Sequence, residues 1–376
     1  MQDLGHLYGI AAPISDCQTL LADAIQADAS SWGISTVVGL ADGISGRKGI
    51  NINRSKGLLF ALQGRSSSKE VEALDKFLTM VSHQAEDQSI PTPDRITATA
   101  LLGYTDFNRA GAVLNKLLDS RNPPELQYQA VAALVRHEDL QSAGLLIEKS
   151  MWATFTPRMR SVVIGALISK PTLTNVLFDA IDQGLIKATD ISSVERERLV
   201  KSQDPTISNR AKLLFQELEE GGRMQVYQNL RKDLDTPGDA DLGKAVFEKS
   251  CASCHSYGGS GGNVGPDLSG VKNQPADALL LHTLVPNYEV YPNYQAISVE
   301  TSDGRLLSGR LIAETANSLT LRTALGMDES ILRANILSLS NTGSSLMPDG
   351  LEQGMTKDEL VGLIAYLKSG LLFVNP

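Results

Sequence analysis

The apolar residues of this chain change period once, near residue 294, and that change organises what the sequence predicts. Before it, hydrophobic side chains return every three or four positions, the spacing of helices with one buried stripe. From "TPDRITATALLGY" onward the pattern recurs: Pro93, Pro124 and Pro157 stand near the starts of amphipathic runs, 31 and 33 residues apart. Proline in a first helical turn forfeits no hydrogen bond, because that N–H has no partner within the helix. Each run is followed by a turn and a second apolar helix, "RAGAVLNKLLD", "LQSAGLLIEKS" and "LTNVLFDAIDQG". Beyond 294 the period falls to two. "YQAISVET" alternates, "SDG" turns, "RLLSGRLIAET" alternates again, and "NSLTLRTA" and "SILRANILSLS" complete four or five short strands. "TKDELVGLIAYLKSG" restores the helical period, with Thr356 as N-cap and Glu359 completing a capping box.

A helix pair cannot hide its apolar stripe alone, so pairs at a fixed period are expected to stack. The unit resembles HEAT-type repeats in degenerate copies, with "DCQTLLADAIQADASSWGISTVVGLADGI" and "KEVEALDKFLTMVSHQA" as less regular copies upstream. An irregular helical bundle is the alternative. The polar segment "LRKDLDTPGDADLG", 230–243, breaks the helical pattern with a Pro–Gly pair and marks a domain boundary. The fold expected is mainly α: a HEAT-like α-solenoid over 1–235, then a helical domain over 236–376 interrupted by a small antiparallel β barrel or sheet at about 290–342.

A length of 376 residues suits two or three domains. The net charge of −9 argues against a nucleic-acid partner, whose phosphates call for a surplus of Lys and Arg. One stretch runs the other way: Arg47, Lys48, Arg54, Lys56, Arg65 and Lys69 occur without an acid between them, a docking surface for an acidic partner or simply a solvated face. No window approaches the roughly 18 apolar residues of a membrane span, and the first residues lack the cationic and apolar regions of an export signal. Three cysteines cannot make a disulfide framework.

Two of those cysteines fall in "CASCH", residues 251–255. C-x-x-C-H is the attachment signature of c-type haem: one helical turn holds both sulfurs where each can form a thioether, and the next imidazole points at the iron. Cys251 and Cys254 would carry the haem, and His255 would be its proximal ligand. A thioredoxin-like dithiol requires a preceding buried strand, whereas "DADLGKAVFEKS" reads as a polar helix. A zinc site requires a fourth donor, for which His282 would have to be recruited.

"GKAVFEKSCASCH" followed by "GGNVGPDLSGV" resembles a class I cytochrome c. That resemblance implies that the Pro266 carbonyl accepts the His255 Nδ1–H bond, and that Gly258 to Gly262 let backbone pass close to the macrocycle. It also implies a distal methionine from a loop before the last helix. "SSLMPDGLEQGMTKDEL" offers Met347, in the Met–Pro dipeptide the family uses, and Met355, whose place beside the final helix suits packing. His282 is the third candidate. Methionine on the iron would show as a weak long-wavelength absorption band in the oxidised form. The order of haem motif, strands, "SLMPDGLEQGMT" and final helix is similar to a bacterial family of haem-binding proteins. Its larger members carry a sugar- or alcohol-dehydrogenase-like propeller ahead of helical repeats and this haem domain. No propeller is present here, so no dehydrogenase active site and no catalytic residue is expected.

The reading is a monohaem c-type cytochrome with one covalent haem c, passing electrons from a partner dehydrogenase to a respiratory acceptor protein, with the helical repeats as docking scaffold. The alternatives are a catalytic or gas-binding haem with an open sixth position, and a protein-binding scaffold with an accessory haem. Haem attachment of this kind implies export, to the periplasm of a Gram-negative cell, so the numbering is expected to begin inside a processed or recombinant chain.

Overall fold

The computed structural model describes residues 1–26, 31–47, 58–63 and 68–370. It is mainly helical, and its contacts divide it into two compact units: Met1–Trp152 with Val162–Val176, and Ala153–Ser161 with Leu177–Pro376. No described helix is long and apolar enough to cross a membrane.

The first unit contains α1 (Gln2–Ala11), α2 (Ile14–Gln26), α3 (Ser31–Ser45), α4 (Leu58–Gln63), α5 (Ser68–Glu86), α6 (Thr92–Leu102), α7 (Phe107–Leu117), α8 (Pro124–His137) and α9 (Leu140–Leu146). Three further helices, α10 (Lys149–Thr154), α11 (Pro157–Ile168) and α12 (Pro171–Asp182), straddle the division. The three prolines do open helices: Pro93 lies in the first turn of α6, and Pro124 and Pro157 begin α8 and α11. The turns are set by Asp106 and Asp139, whose carboxylates accept the N–H of Arg109 (3.1 Å) and Ser142 (2.7 Å) at the starts of α7 and α9. The helix pairs are unequal, because α9 has only seven residues and the division between units runs through α11 and α12.

The tightest contact of this unit was not anticipated from periodicity. A Cβ on Gly5 or Gly9 of α1 would lie 2.4 or 2.5 Å from the Thr36 or Leu40 carbonyl of α3. One on Gly39 or Gly43 of α3 would lie 2.0 or 2.3 Å from the Gln2 or His6 carbonyl. Only glycine permits that approach. Cys17 is fully buried on α2, its sulfur 3.8 Å from the Tyr8 and Ala12 carbonyls and from the Arg47 guanidinium. Of the basic stretch, Lys48, Arg54, Lys56 and Arg65 lie outside the described residues. Arg47 is not a free docking cation: its guanidinium donates to the Gly9, Tyr8 and Ala12 carbonyls and closes the end of α1.

The second unit continues with α13 (Ser193–Val200), α14 (Pro205–Glu220), α15 (Gly222–Arg231), α16 (Ala240–Ser250), α17 (Ala276–Leu284) and α18 (Lys357–Ser369). Met224 and Tyr227 of α15, Val246 and Phe247 of α16, Leu280 and Leu284 of α17, and Leu363 and Ile364 of α18 bury one another in a single cluster. Helices α16 and α18 cross at glycines, since a Cβ on Gly243 would fall 1.9 Å from the Gly362 carbonyl. The capping box read from the sequence is present, with Glu359 N–H donating to Thr356 Oγ1 at 3.2 Å and Thr356 N–H to Glu359 Oε2 at 2.6 Å.

Strands β1 (Ser256–Tyr257) and β2 (Ser260–Gly261) form a minimal hairpin, and five more form an antiparallel sheet. These are β3 (Gln295–Thr301), β4 (Leu306–Glu314), β5 (Ser318–Arg322), β6 (Asp328–Leu332) and β7 (Ile336–Ser345), in spatial order β6-β5-β4-β3-β7. The expected "SDG" turn joins β3 to β4 with Gly304 at φ +81°. "SILRANILSLS" is two strands, because the 3-10 turn Arg333–Asn335 interrupts it. The sheet has its own core of Ile297, Val299, Leu311, Leu319, Leu321, Ile331, Ile336 and Leu339. It is open: β6 and β7 each have one neighbour, so among the described residues the barrel gives way to a sheet.

Candidate functional site

Helix α16 is started by Asp239, whose carboxylate accepts the N–H groups of Asp241 (2.9 Å) and Leu242 (3.3 Å). It delivers the chain into Cys251, which caps it with an N–H bond to the Phe247 carbonyl at 2.8 Å. One further turn follows, in which Cys254 and His255 N–H both reach the Cys251 carbonyl, at 3.0 and 2.9 Å. The two thiols are free and half-buried. Burial pushes the Cys251 thiol up to about 11, with the neighbouring Cys254 charge adding to it, the reverse of what a redox-active dithiol requires.

The glycine-rich run wraps this turn. Gly258 and Gly259, at φ +65° and +80°, make the two-residue turn between β1 and β2. Gly262 N–H donates to the Ala252 carbonyl (2.7 Å) and Gly265 N–H to the Cys254 carbonyl (2.8 Å). Cβ atoms on Gly261 and Gly262 would lie 2.2 Å from the His255 and Ser253 carbonyls. What these glycines approach in this structure is therefore the Cys-x-x-Cys-His backbone itself.

Pro266 lies where its carbonyl meets His255 Nδ1, at 2.8 Å. That bond places the proton on Nδ1 and leaves Nε2 as the lone-pair nitrogen, without a partner among the described residues. Burial holds the imidazole's pKa below its usual value, against the opposing effect of the Pro266 bond, so the ring is kept neutral. Gly265 lies flat against it: a Cβ there would be 2.4 Å from Cε1, 2.7 Å from Nδ1 and 2.8 Å from Nε2. A half-buried neutral imidazole oriented through Nδ1, beside two unpaired thiols one turn away, is a donor set that fits a covalently held haem. Among the described residues no three His, Cys, Asp or Glu side chains converge as a metal cage, which leaves a zinc knuckle without its donors.

The sequence model of the cytochrome c family matches residues 240–285. This segment is a cytochrome c domain. A cytochrome c-553-like protein of Synechocystis sp. is 35% identical over 66 residues, 16% of this chain. The chain spans 62% of that relative's length. The cytochrome c domain implies haem c, and it contains Cys251, Cys254, His255 and Pro266.

Of the remaining candidates, His282 lies inside the matched segment and Met347 and Met355 lie outside it. Met347 follows β7, half-buried, with its N–H on Ser345 Oγ at 3.0 Å. Met355 packs against the cluster formed by α15 to α18. His282 is half-buried on α17, its pKa held down by desolvation against the charge of Glu289. In the first unit His6 lies 3.0 Å from Asp42, and His137 is packed edge-on to Phe107.

Sequence reasoning missed how the sheet meets the cytochrome c domain. Arg310 of β4 and Arg322 of β5, opposite each other in register, both donate to the Asn263 carbonyl, at 2.8 and 3.3 Å. Asn263 lies two residues before Gly265, so the strands brace the loop that holds His255. Alternation identified the strands, but nothing local marked which arginines would reach that carbonyl.

Proposed function

We propose that this chain is a monohaem c-type cytochrome that carries electrons between a dehydrogenase and a respiratory acceptor protein. Cys251 and Cys254 would hold one haem c by two thioethers, with His255, through Nε2, and Met347 as the residues that would ligate its iron. The haem, when bound, supplies a one-electron Fe(III)/Fe(II) couple whose potential depends on its axial ligands and burial. The chain does the rest. Pro266 fixes the tautomer and raises the basicity of His255, and Gly265 lets the ring sit against backbone. A methionine thioether raises the potential relative to a second imidazole.

The observation that carries this reading is the His255 imidazole held at Nδ1 by Pro266 within the segment matched by the cytochrome c family. In the same reading, residues 236–376 are the haem-bearing division. Residues 1–235 are the helical-repeat scaffold on which a dehydrogenase acting on a sugar or alcohol docks, and the protein works in the periplasm. The match to the cytochrome c family supports the exported location.

The test is expression with an export signal in a host that matures c-type haem. The expected result is a coloured protein whose intact mass exceeds that of the chain by one haem, with the long-wavelength methionine band in the oxidised form. Colourless protein with unmodified thiols overturns the reading.

A further inference from the structure

We propose that Asn287 is the positioning residue for the sixth ligand, its single amide group clamping the loop on both sides of Met347. This deepens the reading above and rests on it. Met347 lies between the end of β7 at Ser345 and the 3-10 helix Leu351–Gly354. Ordering such a loop costs backbone conformational entropy, so something must hold it. Pro348 supplies part, restricting itself and biasing Met347 to extended backbone. Asn287, from the segment after α17, ties the loop on both sides of Met347. Its Oδ1 accepts the Ser345 N–H at 2.9 Å, and its Nδ2 donates to Asp349 Oδ2 at 3.3 Å. The amide can face only this way, since an N–H needs the oxygen and a carboxylate needs the NH2.

The two anchored residues stand two positions before and two positions after Met347. Ser345 also accepts the Met347 N–H through its hydroxyl, so the strand end, the clamp and the ligand are linked in series. A second staple lies beyond it. Arg223 of α15 forks onto both Glu352 oxygens at 2.8 Å and donates to the Leu284 carbonyl at the end of α17, at 3.0 and 2.6 Å. The loop is thus tied at both places to the end of α17. Met355, by contrast, is occupied in the core. A thioether is a weak, neutral ligand that holds iron only if delivered in place, so a loop free to open loses it first.

The experiment uses the full haem-loaded chain. Asn287→Ala, Asn287→Asp, Asn287→Asp combined with Asp349→Asn, and Met347→Ala are compared for the long-wavelength band, midpoint potential, haem mass and thermal melting. Asn287→Ala should weaken the band and lower the potential while the haem mass is retained. Asn287→Asp sets two carboxylates face to face and should lose more. The double swap keeps an acceptor for the Ser345 N–H and restores a donor–acceptor pair across the loop, so it should recover most of the band. The proposal is overturned if Met347→Ala abolishes the band while every Asn287 variant keeps it. It is equally overturned if the folded, haem-loaded double swap is no better than Asn287→Asp. If Met347→Ala itself leaves band and potential unchanged, the ligand assignment has failed, and the clamp falls with it.

Discussion

At the scale of single residues, the proposed haem site depends on how closely backbone can approach an imidazole. Gly265 occupies space that any Cβ would share with three ring atoms of His255. Gly265→Ala is therefore expected to displace the ring, break the bond to the Pro266 carbonyl, and cost about 1–3 kcal/mol by overpacking. The checks are a chemical melt of the unloaded chain and the haem-to-protein ratio after maturation, both of which should fall. Cys251, Cys254 and His255 were legible because their chemistry is encoded in five consecutive positions. Pro266 and Met347 came only from family resemblance. Asn263, Asn287, Arg223 and the packing role of Gly265 were not legible, since each acts through a neighbour brought to it by folding.

Between elements, glycine pairs set two of the closest helix contacts. Gly39→Ala would press a methyl group onto the Gln2 carbonyl of α1, and the urea midpoint should drop by the equivalent of about 1–3 kcal/mol with little change in slope. The Arg223–Glu352 fork joins α15 to the segment carrying Met347, and it makes that join sensitive to pH. Hydrogen bonding to Arg223 holds the Glu352 carboxyl below its usual pKa, outweighing desolvation. Glu352 therefore takes up its proton less readily folded than unfolded. Its stabilisation is full above the unfolded value of about 4.3 and is lost as pH falls through the lower folded value. Glu352→Gln should be less stable than the wild type by about 1 kcal/mol near neutrality. That gap should close in acid, as followed by circular dichroism melts across the pH range. The helices, strands and capping box were legible because a period or a cap is a property of neighbouring residues. The open edge of the sheet was not, because closure depends on how far five strands twist and curl in space.

For the whole molecule, composition drew a line at about residue 235, and packing carries α15 across it. Met224 and Tyr227 lie in one buried cluster with Val246, Phe247 and Leu363. Each such side chain contributes about 1.5–3 kcal/mol of burial, out of about 5–15 kcal/mol of net stability for a domain. A fragment starting at residue 236 should accordingly melt well below the full chain in circular dichroism, or fail to fold. A melt equal to that of the full chain would show that α15 is dispensable. The sequence by itself determined the change from helical to strand period, the acidic balance, and the adjacency of two thiols and an imidazole. The period and the motif are set by residues close along the chain, and the charge is a sum that needs no geometry. Only the tertiary structure decided that β4 and β5 rest on the loop holding His255, and that one amide, 58 and 62 residues away in the chain, grips both sides of Met347. Such contacts follow from how separate elements pack, and no local pattern of residues encodes that packing.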